Sequence, residues 1–107
     1  MTVVVFRSRI HPEYAEEFQR LADRMLELCQ TMPGFISYKV YRNEDGERVS
    51  IHEWETADQL RAWRNHPEHR EAQRLGRERY YQEFTSYVAD TPRESRFPGP
   101  SPLGTNS

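Results

Sequence analysis

The stretch Thr2-Val-Val-Val-Phe-Arg-Ser-Arg-Ile10 is β-branched and aromatic at its start, and the strand it predicts is apolar on both faces. Val4, Phe6 and Ile10 fall on one side of the alternation, Val3 and Val5 on the other. A strand with two apolar faces is covered on both. Helices of the same chain can supply one cover, so the second must come from elsewhere. Apolar residues are also scarce, at 36% of 107 residues against 30% charged. A small domain so composed recovers burial at a subunit interface. The expectation is a homodimer that pairs sheet face against sheet face.

After the first strand, His11-Pro12-Glu13 opens a helix, because proline suits the first turn and Glu13, Glu16 and Glu17 complement its positive end. Tyr14, Phe18, Leu21, Ala22, Met25, Leu28, Cys29 and Met32 follow a 3.6-residue period and form one stripe. Pro33-Gly34 ends that helix. Residues 35–43 and 48–55 read as two strands joined by a turn in which Gly46 supplies positive φ. The later strand has Val49, Ile51 and Glu53 on one side, His52 and Trp54 on the other. Thr56 caps a second helix, which Asn65-His66-Pro67 interrupts. Glu68 to Tyr80 continues it, with His66 exposed at the break, and a last strand follows from Tyr81 to Ala89.

The order β-α-β-β-α-β predicts an α+β domain of ferredoxin-like arrangement over residues 1–90, with one four-stranded antiparallel sheet and helices on a single face. Residues 91–107, rich in Pro, Gly and Ser, read as a disordered tail.

Composition excludes several partners. The net charge of −2 lacks the basic excess that nucleic acid demands. The arginines between Arg61 and Arg79 are interleaved with Glu68, Glu71 and Glu78, as on a solvated helix face. One cysteine, Cys29, rules out a disulfide framework or cysteine zinc site within the chain and falls on the core stripe. With no leader pattern and no apolar stretch of membrane-spanning length, the expected location is the cytoplasm.

Two segments carry a specific resemblance. Met32-Pro-Gly-Phe-Ile-Ser-Tyr-Lys-Val-Tyr-Arg42 resembles the helix-to-strand junction of the antibiotic biosynthesis monooxygenase family, whose members are dimeric α+β barrels. The stretch from Trp54 to Gln73 resembles that family's third strand and broken second helix. The resemblance covers residues 2–90 and implies a cleft between sheet and helices. It further implies a substrate that is a small phenol, quinol or anthrone, oxidised by molecular oxygen with neither metal nor organic cofactor. A deprotonated electron-rich phenol can pass an electron to oxygen directly. The protein then has to bind a flat aromatic, stabilise its anion and exclude water.

Trp63 matches the tryptophan that lines the family's cleft, and the position also suits an ordinary core anchor. His69, Ala72, Gln73, Gly76 and Tyr80 share one helix face that is small and polar, as a pocket wall would be, or as a face packed closely on the sheet would be. In this reading Trp63 and Tyr80 stack on the substrate ring, while His69 and Gln73 bond its oxygens. Trp54, expected with them to contact the substrate, shares a strand face with His52, the candidate base for the phenolic proton. Two other readings stay open: haem binding and degradation, or a non-catalytic dimeric ligand-binding module. The resemblance places a haem-ligating histidine ten positions after the cleft tryptophan, and Gln73 stands there, a poor ligand for haem iron. Phe6 stands where that branch has an asparagine.

Overall fold

The chain forms four strands and three helices in the order β1 (Thr2–Ile10), α1 (Ala15–Cys29), β2 (Phe35–Arg42), β3 (Arg48–Trp54), α2 (Ala57–Arg64), α3 (Pro67–Leu75) and β4 (Tyr81–Asp90). These elements belong to a computed structural model that describes residues 1–99. All strands pair antiparallel in one sheet of order β2-β3-β1-β4, the ferredoxin-like arrangement.

Register decides which side chains share a face. Thr2 pairs with Trp54, Val4 with His52, Phe6 with Ser50 and Ser8 with Arg48 across β1 and β3. This set lies under the helices, where Val4, Trp54, Leu60, Trp63 and Cys29 form the buried core. Burial pushes the Cys29 thiol up to about 12, consistent with a packed core thiol and not a reactive one. The other face carries half-buried Val3, Val5, Val49 and Ile51, with Tyr41 and Tyr87 each 53% exposed. No element among the described residues covers it.

Local sequence explains the joints. Gly46 makes the β2–β3 turn at φ +92°, and Thr56 caps α2 by accepting from the Gln59 amide at 3.2 Å. Gly34 holds φ +85°, and a Cβ there would meet Gln59 Oε1 at 2.0 Å.

Three expectations need correction. Pro12 opens a short 3-10 turn, Pro12–Tyr14, and the α-helix begins at Ala15. The helix expected to run from Glu68 to Tyr80 stops at Leu75, and Gly76–Tyr80 wind as a π turn. Its cause is steric: Gly76 has no Cβ where one would lie 2.5 Å from the Tyr81 ring, so the chain swings directly into β4. His66 is half-buried, not exposed, and its Nδ1 caps α3 by accepting from the Glu68 amide at 3.2 Å.

No described helix is long and apolar enough to cross a membrane. Residues 91–99 form neither helix nor strand, and the remainder of the expected tail, 100–107, lies outside the described residues.

Candidate active site

Along β3 the usual pattern is inverted: polar Arg48, Ser50 and His52 are buried under the helices, and apolar Val49 and Ile51 face the other way. The three polar residues form the floor of a cavity of about 190 Å³ between sheet and helices. Phe18 and Met25 of α1 close one side, Trp63, His69 and Gln73 another. A cavity of about 150 Å³ already accepts benzene, so this one encloses one or two rings of a flat aromatic and leaves any further ring towards its opening.

His52 is held from behind. Trp54, fully buried, donates its indole Nε1–H to His52 Nδ1 at 2.8 Å. An indole nitrogen can only donate, so His52 Nδ1 carries the lone pair and the neutral ring keeps its proton on Nε2. Burial, reinforced by His69 and Arg64, lowers the His52 pKa to about 4. At neutral pH His52 is therefore uncharged, with its Nδ1 lone pair engaged by Trp54 and its Nε2–H left as a donor.

His69 has the opposite arrangement. Its Nδ1 lies 3.2 Å from the Trp63 carbonyl oxygen, an atom that can only accept. Gln73 Nε2 also approaches that nitrogen, at 3.3 Å, but its better partner is the Arg64 carbonyl at 3.0 Å. The proton therefore sits on His69 Nδ1, leaving Nε2 with a free lone pair. Burial again dominates and takes the pKa down to about 4, with the Trp63 carbonyl opposing and Arg64 and His66 assisting.

The rings are fixed by stacking. His69 lies on Trp63 with centroids 4.2 Å apart and planes 12° apart. Trp63 in turn faces Trp54 at 6.4 Å and 22°. Tyr38 leans on His52 from the adjacent strand at 5.4 Å.

The residues singled out in the sequence are thus partly united. His52, Trp63, His69 and Gln73 line the cavity together. Trp54 stands behind His52 as a buttress and does not line it. Tyr80 also lines it, its ring 5.8 Å from that of Phe18, while its hydroxyl meets Glu17 and Arg79. Gly76 lines the cavity and also leaves room for the Tyr81 ring, which a Cβ there would meet at 2.5 Å. Tyr38, Tyr81, Arg48, Arg64 and Arg77 also line the cavity. Arg48 was legible in principle, as the first member of a polar set on the buried side of β3; Tyr81, with its hydroxyl pushed up to about 12 by burial, depended on the unforeseen π turn.

The cavity does not fit haem. It is too small for a four-pyrrole macrocycle, and the Gln73 amide nitrogen is held by the Arg64 carbonyl. Among the described residues no three His, Cys, Asp or Glu side chains lie close enough to hold a metal ion.

Comparison with known proteins agrees with this architecture. The chain is 31% identical over 94 residues to YqjZ of Bacillus subtilis (strain 168), itself described as uncharacterised, covering 88% of this chain and 82% of that one. Among solved structures it resembles SnoaB, a cofactor-independent oxygenase from Streptomyces nogalater, at 19% identity and TM-score 0.77, over 92% of this chain and 97% of that one. A structure from Deinococcus radiodurans described as a putative antibiotic biosynthesis monooxygenase gives TM-score 0.80 at 12% identity, over 92% and 100% of the two chains. A family model described as antibiotic biosynthesis monooxygenase matches residues 1–75. The chain belongs to the antibiotic biosynthesis monooxygenase family.

Proposed function

We propose that the protein is a cofactor-independent monooxygenase that oxidises a small phenol, quinol or anthrone with molecular oxygen. The observation that supports this most is the pairing of two neutral histidines of opposite polarity on one aromatic-walled cavity. His69 Nε2 accepts the proton released by the substrate, and His52 Nε2–H donates to the oxygen on which the negative charge develops. Trp63, buried and stacked against His69 and Trp54, closes the wall behind them and excludes water.

For an anthrone the balance closes without added reductant. The substrate loses a proton to His69, and the carbanion–phenolate passes one electron to dioxygen. The resulting radical pair combines at the ring carbon as a hydroperoxide. Loss of water leaves a new carbonyl, so one oxygen atom enters the product and the other departs as water, with the proton returned from His69. Both hydrogens of that water and all the electrons come from the substrate.

An open cavity with converging polar groups favours an enzyme over a non-catalytic module. The test is oxygen uptake by metal-free protein against a panel of hydroquinones and anthrones. Saturable uptake above the spontaneous rate supports the reading; spontaneous rates across the panel refute it.

The uncovered sheet face supports a homodimer through Val3, Val5, Ile51 and Tyr87. Sedimentation or light scattering would give twice the chain mass, and Val5→Asp with Ile51→Lys would give monomer. A wild-type monomer would refute it. With a single buried thiol and no described helix long and apolar enough to span a membrane, we place the protein in the cytoplasm.

A further inference from the structure

We propose that the cavity takes an aromatic carboxylate, with the carboxylate seated on Arg48 at the end of the cavity away from His52. The inference deepens the oxygenase reading and rests on it for the rest of the ligand, but the carboxylate subsite stands on its own observations.

The first is charge. Arg48, Arg64 and Arg77 line the cavity and no Asp or Glu does, although the chain as a whole is net negative. Most arginines elsewhere are ion-paired, as Arg7 is to Glu47 and Arg24 to Glu68. None of the three lining arginines has a carboxylate partner among the described residues, and residues 100–107 contain no acidic side chain.

The second is burial. Arg48 is only 5% exposed, and its Nε has no hydrogen-bond partner. The Phe18 ring gives its guanidinium a cation–π contact at 5.0 Å but no anion, and the residue directly across on β2 is Arg42, a like charge. Ser8, paired with Arg48 across β1, has a buried hydroxyl that is also unpartnered. A buried cation without an anion is strongly unfavourable. Arg48 lines the cavity, so a ligand there can supply the anion it lacks. The planar fork of a guanidinium matches the two oxygens of a carboxylate.

The third is distance. Arg48 and His52 are four residues apart on one face of β3, which separates their backbones by about 13 Å. Both side chains line the cavity, whose volume encloses one or two fused rings. A ligand with a hydroxyl at one end and a carboxylate at the other satisfies both His52 and Arg48.

The test is calorimetric titration of the full chain with 6-hydroxy-2-naphthoate and, separately, its methyl ester. The two share ring and hydroxyl and differ only in the charge. The acid is expected to bind at least tenfold more tightly than the ester. Arg48→Met, or Arg48→Gln if the first variant does not fold, is expected to erase that preference while leaving ester affinity within twofold. Arg64→Gln and Arg77→Gln are expected to reduce it only partly. Equal binding of acid and ester overturns the proposal, as does no binding of the acid, or a preference that survives Arg48→Met or depends instead on Arg64 or Arg77. Preferential acid binding without oxygen uptake from hydroquinones would refute the oxygenase reading and leave this subsite intact. Uptake with no preference for the acid would do the reverse.

Discussion

Trp54 Nε1 donates to His52 Nδ1 across 2.8 Å of buried space, and this bond decides which nitrogen of His52 bears the proton. Two residues apart on one strand face, the pair converts the most base-like residue of the sequence into a donor. Nitrogen-15 NMR at neutral pH is expected to show His52 as the Nε2–H tautomer and His69 as the Nδ1–H tautomer. In Trp54→Phe the His52 ring loses its fixed tautomer. Unfolding free energy is expected to fall by about 2–4 kcal/mol, from the lost ring volume and the orphaned Nδ1.

Both histidines are neutral in the folded protein down to about pH 4 and in the unfolded chain only above about pH 6.5. Between those values the unfolded chain binds protons that the folded one refuses. Stability is therefore full above about pH 6.5 and declines as pH falls through 4, by at most about 3 kcal/mol per histidine. Urea unfolding at a series of pH values checks the sign. The acid limb of the pH–rate profile for kcat/KM is expected near pH 4, not near 6.5.

The polarity assignment makes the two histidines respond differently to one substitution. His69→Gln removes the accepting lone pair, and kcat is expected to fall by about 10²-fold or more. His52→Gln keeps an N–H donor in reach of the cavity and is expected to retain a larger share of the rate. If His52→Gln is the more damaging variant, the roles are reversed.

Arg48 without ligand is a source of instability. Arg48→Met keeps the length of the side chain and removes the buried charge, so the apparent melting temperature of the free protein is expected to rise, even as carboxylate binding is lost. Thermal scans of both proteins, with and without 6-hydroxy-2-naphthoate, read both effects.

The chain is expected to leave the Soret band of added haemin unshifted. The amide nitrogen of Gln73 is already held by the Arg64 carbonyl, and a cavity of about 190 Å³ is too small to enclose a macrocycle.

Strand order and the two-faced first strand were legible in the sequence because alternation and helical period are local signals that burial enforces. The shared face of His69, Ala72, Gln73, Gly76 and Tyr80 was legible for the same reason, and all five line the cavity. What periodicity could not yield were the relationships across the fold. The π turn depends on the Tyr81 ring lying where a Cβ of Gly76 would be. The donor role of His52 depends on an indole aimed at one ring nitrogen. Arg48 shares the alternation of His52 and Trp54, but at the start of β3 a charged residue looks like the end of a hairpin, and the register with Ser8 and the cover of Phe18 make its burial plain.

The account turns on oxygen entering an aromatic substrate inside this cavity. Single-turnover reaction of metal-free protein with an anthrone or a carboxylated hydroquinone under isotopically labelled dioxygen, read by mass spectrometry, tests it most directly. With an anthrone the expected product carries one labelled oxygen at the new carbonyl, formed faster than in buffer and at the spontaneous rate in His69→Gln. Product without label, or with label at a rate that neither the protein nor His69 changes, would contradict it.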